Sequence, residues 1–131
     1  MITKENLINS SRTKVIPIEL QENMNEYLTR INQFFDICKL PAVHTSFYRS
    51  KSDQIAIYRE IGKSNPPMHS QHLYCRAGDV SDKDNKLKNW ITENLWVLEK
   101  CNLWCEDFAA TKTWVHFQTI PPKSGKRFFI P

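Results

Sequence analysis

LWCEDFAATKTWVHFQTI, residues 103–120, reads as two strands around a turn. The runs LWCEDF and TWVHFQTI are rich in Trp, Val, Phe and Thr, whose branched or ring-bearing side chains suit a pleated surface. The FAATKT region between them is short enough to join antiparallel neighbours. In one register of this hairpin Glu106 lies opposite His116 on the same face; slipped by one residue, Asp107 pairs with Trp114 on that face instead. The pattern alone leaves both registers open, and Glu106 is the preferred neighbour of His116.

Upstream of the hairpin, Asp82 is placed to cap a helix in which Leu87, Ile91, Leu95 and Leu98 form one apolar face with Trp90 near it. CRAGDVS (75–81) is short and bounded by polar residues, so its core reads as a strand that delivers Asp79. SNPPMHSQH (64–72) is a loop, stiffened by Pro66 and Pro67 on the approach to His69 and His72. Before it, Ser52 or Asp53 can cap a helix carrying Ile55, Ile57, Tyr58 and Ile61 and stopped by Gly62. AVHTSFYRS (42–50) reads as a strand ending at Arg49 and Ser50. Leu20, Met24, Leu28, Ile31, Phe34, Phe35 and Cys38 recur at helical spacing and predict an amphipathic helix that ends before Pro41. Residues 1–16 are polar with scattered Ile and Val, compatible with a loose arm or with an extended segment lying on the domain. The tail PPKSGKRFFIP reads as a loop followed by a hydrophobic end.

These elements predict an α+β fold, a small and mainly antiparallel sheet with about three packed helices. The 131 residues suffice for a single domain with one core. At 40% hydrophobic and 24% charged, the composition is that of an ordinary folded protein. The net charge of +4 is spread along the chain rather than gathered into a basic stripe, which argues against a nucleic-acid-binding protein. No run reaches the roughly 20 apolar residues of a membrane span. The opening MITKENLINS lacks the apolar stretch of a secretory signal, so synthesis in a cytosol is expected. Cys38, Cys75, Cys101 and Cys105 include no C-x-x-C pair, and buried free thiols are expected rather than a thiolate zinc knuckle or a disulfide.

His72, Asp79 and His116 each bring a lone pair suited to zinc, and three protein ligands leave a fourth position open for water. Each alone is an ordinary structural residue; the words around them carry more. SFYRS (46–50), SQHLYCRAGDV (70–80) and WVHFQ (114–118) resemble, in order and spacing, the pattern of the zinc D-Ala-D-Ala carboxypeptidases and phage cell-wall peptidases. That pattern runs S-G-Y-R-S, then S-x-H-x-x-G-x-A-x-D, then W-x-H or V-H. The resemblance covers residues 43–118, and the closing segment looks like that of small phage-encoded members.

The resemblance implies a Hedgehog/DD-peptidase-like fold and zinc on His72, Asp79 and His116. It implies hydrolysis of a peptide bond in bacterial peptidoglycan, by a protein that acts on the cell wall after lysis or aboard a phage particle. It places Arg49 at the site, where a planar pair of donors can grip a substrate carboxylate or the oxyanion. Ser70 and Gln118 match motif positions, as substrate contacts or as residues that orient the ligands. Trp114 is a candidate pocket wall, whereas Trp90, Trp96 and Trp104 are expected to pack.

Two departures stand out. Cys75 occupies the position of the family's glycine, so the local backbone is expected to turn differently, with Gly78 supplying flexibility. Thr113 occupies the position where many relatives carry a carboxylate. Glu106 is then the expected general base, with Asp107 and His69 as further candidates. Thr113 also leaves room for a non-catalytic virion or wall-binding module that keeps the fold.

Overall fold

The computed structural model describes residues 1–131. Five helices and five strands follow in chain order: α1 (Lys4–Asn9), α2 (Gln21–Cys38), β1 (His44–Ser46), α3 (Lys51–Glu60), β2 (Ala77–Ser81), α4 (Lys86–Glu93), α5 (Trp96–Cys101), β3 (Trp104–Glu106), β4 (Trp114–Gln118) and β5 (Phe128–Phe129). The strands form one sheet in the order β1-β2-β4-β3-β5, antiparallel throughout except for the β3–β5 pair. The expected α+β class with a mainly antiparallel sheet is what the chain adopts. No helix is long and apolar enough to cross a membrane.

The sheet has one dry face. On β4, Val115 and Phe117 are fully buried, as are Val80 on β2 and Cys105 on β3. Against them lies α2, which turns Met24, Tyr27, Ile31, Phe34, Phe35 and Cys38 inward. The rings of Phe34 and Phe117 meet at 5.0 Å, as do those of Tyr27 and Phe47. Helix α2 stops where Lys39 takes a left-handed conformation and its amide bonds back to the Phe35 carbonyl, just ahead of Pro41. The other sheet face carries Asp79, His116 and Gln118, because successive side chains on a strand alternate sides.

Gly78 has a different role from the flexibility expected of it. It sits inside β2 opposite Phe117, and a Cβ there would collide with the Tyr27 hydroxyl and press on the His44 ring. Tyr27 is fully buried, and its hydroxyl hydrogen-bonds His44 Nε2 at 2.7 Å. Burial pushes the His44 imidazole down to about 4. Gly78→Ala is expected to destabilise the protein by about 1–3 kcal/mol through overpacking, measured by urea denaturation; an unchanged midpoint would show that Tyr27 can step aside.

Several expectations are corrected. The N-terminal segment is not a loose arm: Thr3 and Asn6 form a capping box for α1, Ile2 and Leu7 are buried, and the Asn32 amide holds the Ile2 backbone at both ends. The strand expected over residues 42–50 is only His44–Ser46, and Ser50 rather than Ser52 or Asp53 caps α3, with Asp53 completing the box. The expected apolar face of α3 does not reach the core: Ile55 and Ile61 are exposed, and the one buried residue of that helix is Gln54.

The helix expected after Asp82 is two helices. Asp82 accepts from the Leu87 and Lys88 amides as foreseen, but the Asn94 side chain donates back to the Trp90 carbonyl and α4 ends there. The restart turns Val97, Leu98 and Cys101 inward and leaves Leu95 and Trp96 half exposed. Trp96 therefore does not pack as expected, whereas Trp90 meets Phe34 edge-on and the Arg127 guanidinium lies 4.3 Å over Trp104. The hydrophobic end adds β5 alongside β3. All four cysteines are buried free thiols.

Candidate metal centre

Strands β2 and β4 are neighbours in a register that sets Asp79 directly opposite His116. Directly opposed residues point to the same face, so these two side chains meet above the sheet. Strand β3 joins β4 in the register that pairs Trp104 with Gln118 and Cys105 with Phe117. This is the alignment that brings Glu106 beside His116, with 3.7 Å between Glu106 Oε1 and His116 Nδ1. Asp107 is drawn instead into the following turn, where its carboxylate accepts from the Ala109 amide.

His72 arrives from a short 3-10 turn, Gln71–Tyr74, that caps the end of the proline-stiffened loop. The Ser70 hydroxyl accepts from the His72 amide at the start of that turn, a ligand-orienting role. Cys75 ends it in the left-handed conformation, with φ of 56°. That is a conformation glycine adopts freely and other residues rarely, so the cysteine keeps the backbone course open to a glycine. Its thiol is buried and pushed up to about 12 by that burial.

The outer bonds of the two histidines decide which nitrogens are free. His72 Nδ1 lies 2.6 Å from the Phe47 carbonyl, which can only accept, so Nδ1 carries a proton and Nε2 is the nitrogen turned inward. Gln118 Nε2 donates to the Ile120 carbonyl at 2.7 Å, which turns its Oε1 toward His116 Nε2 at 2.9 Å. His116 thus donates from Nε2 and turns Nδ1 inward. Both inward nitrogens face Asp79 Oδ1, at 3.3 Å from His72 Nε2 and 3.0 Å from His116 Nδ1.

Three lone-pair atoms, all within 4.8 Å of one another on buried residues, form a group that could hold a metal ion. Burial alone would raise the Asp79 carboxyl, but the two histidines outweigh it and hold it well below the usual carboxylate range. Burial would lower His116, and its hydrogen bond to Asp79 reverses that and raises it. Without an ion each inward nitrogen can donate a proton to Asp79, and a divalent cation can replace those protons and accept from all three groups. Two imidazoles and a carboxylate fit zinc, and also other divalent first-row metals such as iron(II).

Arg49 closes one side, with Nη2 3.6 Å from Asp79 Oδ2. Its backbone amide bonds the His72 carbonyl. Trp114, half-buried, lies two positions before His116 on the same strand face. Gln118 is buried with both amide ends engaged, its Oε1 on His116 Nε2 and its Nε2 on the Ile120 carbonyl. Gln118→Leu is expected to weaken metal affinity about 10- to 100-fold, read by chelator competition; unchanged affinity would mean the ring is fixed by other contacts. His69 is exposed and outside the group, and Thr113 is exposed at the mouth of β4.

Sequence reasoning did not single out Gln54 or the Phe47 carbonyl. Gln54 resembles any polar helix residue until packing buries it, and a backbone acceptor has no signature in residue type. Comparison of the chain with protein-family models, curated proteins and solved structures returns no match.

Proposed function

We propose that this chain is a zinc-dependent peptidase that cuts a peptide bond in bacterial peptidoglycan, of the D,D-carboxypeptidase or endopeptidase kind. The observation that carries the reading is the convergence of His72 Nε2, Asp79 Oδ1 and His116 Nδ1 with Glu106 at their edge. The resemblance of SFYRS, SQHLYCRAGDV and WVHFQ to the cell-wall peptidases supplies the substrate class.

When bound, zinc supplies a Lewis acid that polarises a carbonyl and lowers the pKa of a coordinated water to about 7. Phe47 and Gln118 keep the two imidazoles in the tautomers that aim lone pairs inward. Glu106, one-fifth exposed at its side chain, accepts the proton of the attacking water and returns it to the leaving amine. Arg49 offers its remaining N–H groups to the substrate carboxylate or to the developing oxyanion. Trp114 walls the cleft beside His116. Such a protein would reach the wall as a phage lysis or virion component.

Thr113, where relatives carry a carboxylate, favours a second reading: a wall-binding or virion module that keeps the metal and lacks the chemistry. Digestion of purified peptidoglycan with the zinc-loaded protein, read by mass spectrometry, separates the two. New amine and carboxylate ends are expected. Full zinc occupancy with no new ends would assign the binding module.

A further inference from the structure

Helix α3 turns a single residue fully inward, and that residue is a glutamine. Gln54 has no exposed surface, while its apolar neighbours Ile55 and Ile61 stand in solvent. An amide buried in preference to isoleucine must be hydrogen-bonded to offset its lost hydration. Gln54 spends both ends: Oε1 accepts from Arg49 Nη1 at 3.3 Å, and Nε2 donates to the Pro67 carbonyl at 2.9 Å. The second bond fixes which end is oxygen, because a carbonyl accepts only from the amide nitrogen.

The Arg49 guanidinium is thereby held on three sides. Nε donates to Ser46 Oγ at 3.3 Å, Nη1 to Gln54, and Nη2 lies 3.6 Å from Asp79 Oδ2. Of its five N–H groups, hydrogen bonds take one on Nε and one on Nη1, while Nη2 faces Asp79 as an ion pair. One N–H on each terminal nitrogen remains, and two such donors form the planar fork that receives a carboxylate. The Arg49 side chain is 19% exposed, so the remaining edge is reachable. Without Gln54 the Nη1 side of the group is free to turn about its long stem.

We propose that Gln54 is a positioning residue that locks the Arg49 guanidinium with its free edge toward the substrate carboxylate. This rests on the reading of Arg49 as a substrate contact. Gln54 touches neither the ligand triad nor the attacking water, so its effect is on substrate capture. Gln54→Leu, similar in size, is expected to raise KM about tenfold to a hundredfold, the range for a lost hydrogen bond to a charged group, with kcat changed less than about twofold and zinc content unchanged. On an Arg49→Ala background the same substitution should add nothing.

The test is this double-mutant cycle on peptidoglycan peptides, run beside the Arg49 Nε–Hε signal in the NMR spectrum of each protein. In the wild type that signal should be sharp and slow to exchange, and in Gln54→Leu broadened. Additive losses in the cycle, or a fall in kcat at constant KM, would overturn the proposal. If the wild type cleaves nothing, the peptidase reading fails by itself. The NMR arm then decides the lock: an Arg49 signal indifferent to Gln54→Leu overturns it.

Discussion

Asp79→Asn, which keeps the side chain's shape and removes its charge, is expected to strip the protein of stoichiometric zinc and with it all hydrolysis. The effect is large because Asp79 Oδ1 is the point on which both inward histidine nitrogens converge. It is also the only anionic donor of the three, so its loss leaves two neutral nitrogens facing an amide. His72→Ala and His116→Ala should do the same. Elemental analysis of the purified proteins checks this: about one zinc per wild-type chain, and less than about a tenth of that in each variant, given three ligands and one ion. Full zinc in any of the three would remove that residue from the centre. Circular dichroism guards against a trivial outcome, since the ligands lie on the sheet face away from α2.

Glu106→Gln is the second large effect, and it dissociates chemistry from binding. The amide cannot take a proton but keeps the size and polarity of the carboxylate, so zinc should remain while turnover falls about 100- to 10,000-fold. Asp107→Asn should leave turnover within about twofold, because its carboxylate is tied to the Ala109 amide. Equal losses from the two would mean that local charge, rather than a positioned base, governs the rate. Retained activity in Glu106→Gln would return the search for the base to His69 or to solvent.

The element that mattered most to the site was also the most legible. Alternation in LWCEDF and TWVHFQTI marked both strands, and only the choice between two registers was open; the observed pairing of Cys105 with Phe117 places Glu106 by His116. Helix α2 was legible because its stripe is long, though Tyr27, fully buried within it, was not part of that stripe. What resisted reading was decided by tertiary contacts that leave no periodic trace. The isoleucines of α3 read as a core face, yet the residue buried there is the amide that meets Arg49 and Pro67. The break at Asn94 depends on one side chain returning to the Trp90 carbonyl. The N-terminal segment stayed open between a loose arm and an extended segment on the domain because its anchors, Ile2 and Leu7, are too few to form a pattern. For Cys75, residue type suggested a changed turn, whereas the backbone takes the left-handed course despite the side chain.

X-ray absorption at the zinc edge of the metal-loaded protein tests the centre most directly. Two imidazole nitrogens and light oxygen donors at about 2.0–2.2 Å are expected, with no sulfur near 2.3 Å and with one position exchangeable by solvent. A sulfur shell, or four protein ligands that leave no place for water, would contradict the arrangement built by His72, Asp79 and His116.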